Sequence, residues 1–178
     1  LNNPRYVNDN KDSQKASCLG PHYNDEYIEQ FLRKENIPYV KLSKDEIPLK
    51  IADLIAEEKV VGWFQGRMEF GPRALGARSV LGDARSKQMQ SKMNLKIKFR
   101  ESFRPFAPTV LEEKTSEYFD LDRGSPYMLL TAPVKYDKRL PITEEHADAN
   151  GIDKLKVIRS QIPAVTHIDY SSRIQTVS

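Results

Sequence analysis

The sequence predicts a mixed α/β domain of the α+β kind, with helices packed on a twisted sheet. Helical patterns and β-prone runs alternate in the first half of the chain, and strands dominate the second. A length of 178 residues is enough to bury one core without disulfides or metals. Apolar content is modest and charge is high, which marks a globular chain.

The elements follow in order. Residues 1–17 are polar and rich in Asn, Asp and Lys, and read as a linker cut from a longer polypeptide, with the domain itself over 18–178. Asn24 is placed to cap a helix running to Lys34, with Asp25 and Glu26 in its first turn and Tyr27, Ile28, Phe31 and Leu32 as its apolar stripe. Pro38–Leu42 reads as a short strand. Ser43 followed by Glu46 is a capping-box pattern opening a helix to Glu58, with Leu49, Ala52, Leu54, Ile55 and Ala56 as contacts and Pro48 in the first turns. Val60–Phe64 is an apolar, β-prone run, and a glycine-punctuated loop spans Gln65–Gly76. Beyond it, strands are expected at Ser79–Leu81, Ala107–Leu111, Tyr127–Val134, Ala164–Ile168 and Arg173–Val177, and helical segments at Ser86–Lys96 and Thr115–Phe119. The charged stretch Lys135–Gly151, with Pro141, reads as a surface loop.

Composition excludes several classes. No run approaches the roughly 20 apolar residues that a membrane span needs. Cys18 is the one cysteine, so no internal disulfide forms, which favours a reducing, cytoplasmic setting. His22, His146 and His167 lack metal-ligand spacing, so no metal site is expected. The net charge is only +3, but Arg85, Lys87, Lys92, Lys96, Lys98, Arg100 and Arg104 face Glu101 alone over one stretch. Such a field attracts phosphates. The mild overall charge and the lack of a base-stacking platform argue against nucleic acid, although a nucleic-acid module and a non-catalytic docking domain stay as rival readings.

Three segments carry chemistry. In Gly62–Ser79, Gly66, Gly71 and Gly76 lie among Arg67, Arg73 and Arg78. Backbone that can approach a ligand, combined with guanidinium forks, suits a phosphate or carboxylate. The alternative is a structural loop with a buried Arg–Glu pair, Glu69 being the partner. The loop lacks the Lys-Ser/Thr ending of a Walker loop. In Lys98–Pro108, positive groups at 98, 100 and 104 alternate with Phe99, Phe103 and Phe106; extended backbone would set charges on one face and rings on the other. The alternative is an edge strand with solvated charges. In Pro163–Val177, Ser171 and Arg173 follow Asp169 in a turn and are able to reach a phosphate, or the turn simply joins a hairpin. His167 reads as structural.

Taken together, Gly66-Arg-Met-Glu-Phe-Gly-Pro-Arg-Ala-Leu-Gly76 and Phe103-Arg-Pro-Phe-Ala-Pro108 resemble the C-terminal domain of the NodU/CmcH-type carbamoyltransferases, a likeness running from about Leu19 to Thr176. The resemblance implies a YrdC-like twisted mixed sheet that takes carbamoyl phosphate and ATP, the latter with Mg2+, to a carbamoyl-adenylate. An N-terminal, actin-like, metal-binding domain of the same polypeptide would then pass the carbamoyl group to a hydroxyl of a small molecule. By the same resemblance, Arg73 is a carbamoyl phosphate ligand, with Arg67 beside it in the motif. Lys98 and Arg104 face the donor and nucleotide phosphates, with Arg73 completing the catalytic cations. Ser171 and Arg173 close the site, and Arg159 is a further candidate. Tyr170 stands where the family is expected to carry a small residue such as glycine.

Overall fold

A computed structural model describes Gln14, residues 17–142 and residues 149–178. The linker expected over 1–17 lies outside the described residues apart from Gln14 and Ser17, as does His146 within the expected loop at 135–151. The chain divides into two compact units: Leu1–Val40 with Trp63–Ser79, and Lys41–Gly62 with Val80–Ser178. The α+β class holds, but the β structure is split into a two-stranded ribbon and a three-stranded sheet rather than one sheet.

In the first unit, helix α1 (Asp25–Lys34) begins where the side chain of Asn24 accepts the N–H of Tyr27 at 2.8 Å. This satisfies one of the helix's orphan donors. Asp25 and Glu26 at the start and Arg33 and Lys34 at the end complement the helix dipole. The apolar stripe is only partly covered: Tyr27, Ile28 and Phe31 remain exposed. Pro38–Leu42 forms no strand. Residues 17–22 instead lie along 67–70. Gly20 N–H donates to the Met68 carbonyl at 2.9 Å, Met68 N–H to that of Pro21 at 3.0 Å, and Phe70 N–H to that of Ser17 at 2.7 Å. A Cβ on Gly20 would stand 2.9 Å from the Met68 oxygen, so this close approach requires glycine.

Strands β1 (Val61–Phe64) and β2 (Arg78–Leu81) pair in the ribbon, and their residues are divided between the units. The loop between them is built around one carboxylate. Glu69 is 4% exposed. It accepts the N–H of Leu75 at 2.6 Å and of Ala77 at 2.7 Å on one oxygen, and the Arg78 guanidinium at 3.2 Å on the other. Burial opposes ionisation of this group, but the N–H donors and Arg78 outweigh it and hold its carboxyl below the usual 4.5. Gly71 and Gly76 have φ of +137° and +114° with open space where a Cβ would sit, so backbone angle rather than room demands glycine there.

In the second unit, the capping box forms as expected. Ser43 N–H and Oγ donate to the Glu46 carboxylate, and Glu46 N–H returns a bond to Ser43 Oγ at 3.3 Å. Helix α2 (Glu46–Ala56) follows, Pro48 sitting in its first turn. Its half-buried face is Ile47, Ile51, Leu54 and Ile55, one stripe at helical spacing; Leu49, Ala52 and Ala56 face outward. The helix expected over 86–96 is shorter. Helix α3 (Met89–Lys92) widens into a π-turn at Met93–Ile97, and Lys98 N–H bonds the carbonyl of Met93.

Strand β5 (Ser171–Val177) is the centre of the three-stranded sheet, parallel to β3 (Thr109–Leu111) and antiparallel to β4 (Leu130–Pro133). Pro133 is tolerated because β4 is an edge strand. Helix α4 (Thr115–Tyr118) is the expected helical turn. The strand expected at Ala164–Ile168 is instead a 3₁₀ turn, Pro163–Val165, set off by a proline at its start. The core packs Phe119, Ala132, Val134, Ile162, Val165 and Ile174, with Phe106 and Val110 against it. A smaller cluster joins Met89, Met93 and Ala164. No helix of the described residues is long and apolar enough to cross a membrane.

Ser125 ties the sheet together. It is buried, donates its hydroxyl to the Ile174 carbonyl at 2.9 Å, and receives the Leu130 N–H at 3.3 Å; its own N–H donates to Thr176 Oγ1 at 2.7 Å. Ser125→Ala strands a carbonyl and an N–H, and is expected to lower unfolding free energy by about 1–3 kcal/mol, read as a lower urea midpoint at unchanged slope. Glu69→Gln keeps an oxygen for the Leu75 and Ala77 N–H groups but sets a donor NH2 against the Arg78 guanidinium, and is expected to cost a similar ~1–3 kcal/mol at neutral pH. Because the folded carboxyl titrates below its unfolded value, its contribution is complete above about pH 4.5 and is lost as pH falls through the lower folded value. The difference between wild type and Glu69→Gln in denaturation midpoint therefore shrinks in acid, and a constant difference from pH 7 to pH 3 would refute this account.

Candidate functional site

In the first unit the glycine loop realises the structural pairing and leaves cations over. Arg78 is committed: besides Glu69, it donates through Nη2 to the Gly71 carbonyl at 2.8 Å. Arg67 donates through Nη1 to the Gly20 carbonyl at 2.7 Å and is otherwise exposed. Arg73 lies in the Gly71–Gly76 stretch, exposed, with no hydrogen bond or ion pair to its guanidinium among the described residues. Glu69 and Arg78 thus hold the loop's base, while Arg73 projects from it. The two readings of this loop are compatible, because the buried pair and the available guanidinium are different residues.

The second unit carries the remaining candidates. The segment Lys98–Pro108 is a turn and not an extended strand. Phe99 has φ +47° and is 85% exposed, and residues 102–103 form a turn. The alternation of charges and rings therefore does not sort them onto two faces; only Phe106 packs on the core. What shapes the segment is Asn94, 0% exposed. Its amide donates to the Ser102 and Arg104 carbonyls at 3.0 and 2.8 Å, and its oxygen accepts Arg100 Nε at 2.6 Å. Gln90 adds a bond to the Arg104 carbonyl at 3.3 Å. The Arg100 guanidinium also lies 4.9 Å from the Phe106 ring centroid. Arg104 pairs with Glu101 at 2.7 Å in solvent, a contact of little net strength that a ligand can displace. Lys98 ends the π-turn, exposed and unpaired among the described residues.

A cavity of about 200 Å³ in this unit is lined by Gln90, Phe103, Pro105, Arg159, Thr166 and His167, among others. Arg159 is 7% exposed. Its Nη1 donates to the Val157 carbonyl at 2.8 Å, and no carboxylate pairs with it among the described residues. Its backbone is fixed by the bridge between Arg139 and Ser160, with Leu140 N–H donating to the Arg159 carbonyl at 2.7 Å. A buried cation that meets only a carbonyl among the described residues, on the wall of a cavity, is electrostatically prepared for an anion.

The turn before β5 adjoins this cavity through His167. His167 N–H donates to the Ser171 carbonyl and Tyr170 N–H to that of His167, both at 3.0 Å. Asp169 Oδ1 accepts the Ser171 N–H at 3.0 Å and its hydroxyl at 2.7 Å; those two bonds, the hydroxyl first, hold the Asp169 carboxyl below its ordinary range. Ser171 Oγ also lies 3.4 Å from His167 Nδ1. Burial, and to a lesser degree Arg173, lower the imidazole's affinity for a second proton against the opposing pull of Asp169. Tyr170 has φ +64°, the region that favours glycine. The tyrosine is held there by Arg139, whose guanidinium stacks 4.6 Å from its ring centroid, and by Val134 N–H on its carbonyl at 2.8 Å.

Within the second unit, Arg159, Ser171 and Arg173 are thus brought together around His167, and Phe103 and Pro105 of the basic turn share the cavity wall. The reading of the sequence missed Asn94, Gln90 and Thr166, and took His167 as structural. Asn94 had a signal: a polar residue beside Met93 in an expected helix. The π-turn that buries it had none.

Comparison with known proteins places these residues in a family. The family model described as carbamoyltransferase C-terminus matches residues 52–178, which include every candidate cation named above. The chain is 54% identical, over 99% of its length, to the uncharacterized protein sll1178 of Synechocystis sp., of which it covers 29%. It is 40% identical over 75% of its length to nodulation protein NolNO of Sinorhizobium fredii, covering 17% of that protein. It is 41% identical over 75% of its length to nodulation protein NolO of Bradyrhizobium diazoefficiens, covering 21%. The chain therefore spans less than a third of these relatives. A family match over most of the chain, reached independently of the site geometry, identifies this protein as a member of the carbamoyltransferase C-terminus family.

Proposed function

We propose that this chain binds carbamoyl phosphate and ATP, forms a carbamoyl-adenylate, and hands the carbamoyl group to a metal-binding transfer domain in the remainder of a longer polypeptide, for delivery to a hydroxyl of a small-molecule acceptor. The observation that carries the reading is Arg159, a buried guanidinium without a carboxylate partner among the described residues, on the wall of a cavity. Family membership favours a carbamoyl donor as the anion, and the greater length of the relatives leaves room for the transfer domain.

Both substrates are polyanions, and fixed cations lower the cost of bringing them together. Arginine suits this role because it stays charged and binds oxygens in pairs. In this reading Lys98, Arg104, Arg159 and Arg173 of the second unit contact phosphate oxygens, and Ser171 shapes the turn that carries Arg173; Arg73 and Arg67 of the first unit are the contacts to carbamoyl phosphate that the resemblance implies. The reaction balances with one water. Carbamoyl phosphate and water give carbamate and phosphate. A carbamate oxygen then attacks the α-phosphorus of ATP and expels pyrophosphate. ATP enters as its Mg2+ complex, and the cations stabilise charge developing on oxygens that they already face.

Pyrophosphate release from ATP is expected to depend on carbamoyl phosphate. Release without it, or none with both substrates in a polypeptide that contains the transfer domain, would sink the proposal. By calorimetry, Arg73→Ala is expected to weaken carbamoyl phosphate binding at an unchanged denaturation midpoint. Arg159→Met, which keeps the apolar stem, is expected to weaken binding by about 2–5 kcal/mol. Lys98→Ala and Arg104→Ala, from exposed positions, are expected to cost less, about 1.5–3 kcal/mol each.

A further inference from the structure

Cations hold the phosphate end of a carbamoyl donor but do not tell it from acetyl phosphate, which carries the same phosphate and a methyl where carbamoyl phosphate has an amine. Reading the amine requires a hydrogen-bond acceptor, and the turn before β5 sets one up. Asp169 is ionised, so it only accepts, and Ser171 Oγ lies 2.7 Å from its Oδ1. The single hydroxyl proton of Ser171 is therefore spent on Asp169. Toward His167 Nδ1, 3.4 Å away, Oγ has only lone pairs to offer, and a hydrogen bond there needs the proton on Nδ1. Burial and the nearby Arg173 favour the neutral ring over the pull of Asp169. A neutral imidazole protonated at Nδ1 carries a lone pair at Nε2. His167 lines the same cavity as the buried Arg159.

The geometry points to His167 as the residue that selects the carbamoyl donor: its Nε2 accepts an N–H of the carbamoyl amine while Arg159 takes the phosphate, and Asp169 and Ser171 act as positioning residues that set the tautomer. This assignment rests on the ligand reading proposed above. The physics of selectivity is that a site built to bond an N–H is left with an unpaired acceptor by the methyl analogue.

The test is titration calorimetry of the chain with carbamoyl phosphate, acetyl phosphate and inorganic phosphate. Wild type is expected to prefer carbamoyl over acetyl phosphate by roughly tenfold or more, one hydrogen bond's worth. His167→Leu is expected to bring that ratio near one while inorganic phosphate affinity stays within about twofold, and His167→Gln, which retains an acceptor, to keep the preference. Ring-nitrogen NMR of the wild type is expected to show the Nδ1–H form, and Asp169→Asn to shift it. A His167→Leu variant that still prefers carbamoyl phosphate, a wild type that binds both acyl phosphates equally, or an Nε2–H ring would each overturn the assignment while leaving the ligand reading standing. A wild type that binds none of the three anions overturns both.

Discussion

Burying a polar side chain without partners costs about 1–3 kcal/mol, and each unit of this protein avoids that cost by wrapping backbone around one such residue. In the first unit the residue is Glu69, which gathers the N–H groups of Leu75 and Ala77 and the guanidinium of Arg78. In the second it is Asn94, which gathers the carbonyls of Ser102 and Arg104 and the side chain of Arg100. The signs are opposite because the side chains are: a carboxylate accepts, and so collects donors, whereas an amide mainly collects carbonyls here. In both cases one arginine of a basic segment is consumed by the framework and others are left over. Arg78 and Arg100 serve the fold; Arg73 and Lys98 are exposed and available to a ligand.

That division of labour is why a count of basic residues is a poor guide to a site. Arg159 lies far in sequence from the basic run that ends at Arg104, yet its guanidinium is the buried one on the wall of a cavity. The turn at 167–171 behaves similarly. A left-handed residue at Tyr170 lets the chain reverse within four residues, so that His167 and Ser171 face each other through both backbone and side chain. The Arg139 stack on Tyr170 compensates for a conformation that glycine would adopt freely.

Local signals were legible where the physics is local. The cap at Asn24, the box at Ser43 and Glu46, and Pro48 in a first turn all follow from neighbours in sequence, and all form. Pro38–Leu42 and Ala164–Ile168 have the composition of strands but no partner strand among the described residues, and a strand exists only through its partner's hydrogen bonds. For α2 the helix was legible and its buried face was read in part: Leu54 and Ile55 face inward as expected, but the stripe continues through Ile47 and Ile51, and tertiary packing leaves Leu49, Ala52 and Ala56 outside. The alternation of charge and ring over Lys98–Phe106 assumed extended backbone, which Asn94 prevents by drawing the segment into a turn.

The amino-acid order by itself determined the class of the fold, the family, and the residue types that an anion site would use, since glycines flanking arginines and clustered cations carry that chemistry wherever they fold. Tertiary structure alone decided which cations remain available and which are spent. A guanidinium is committed or free according to the carboxylates and carbonyls that long-range folding brings to it, and burial, which makes one charge count for more than many exposed ones, is a property of the packed chain and not of any segment within it.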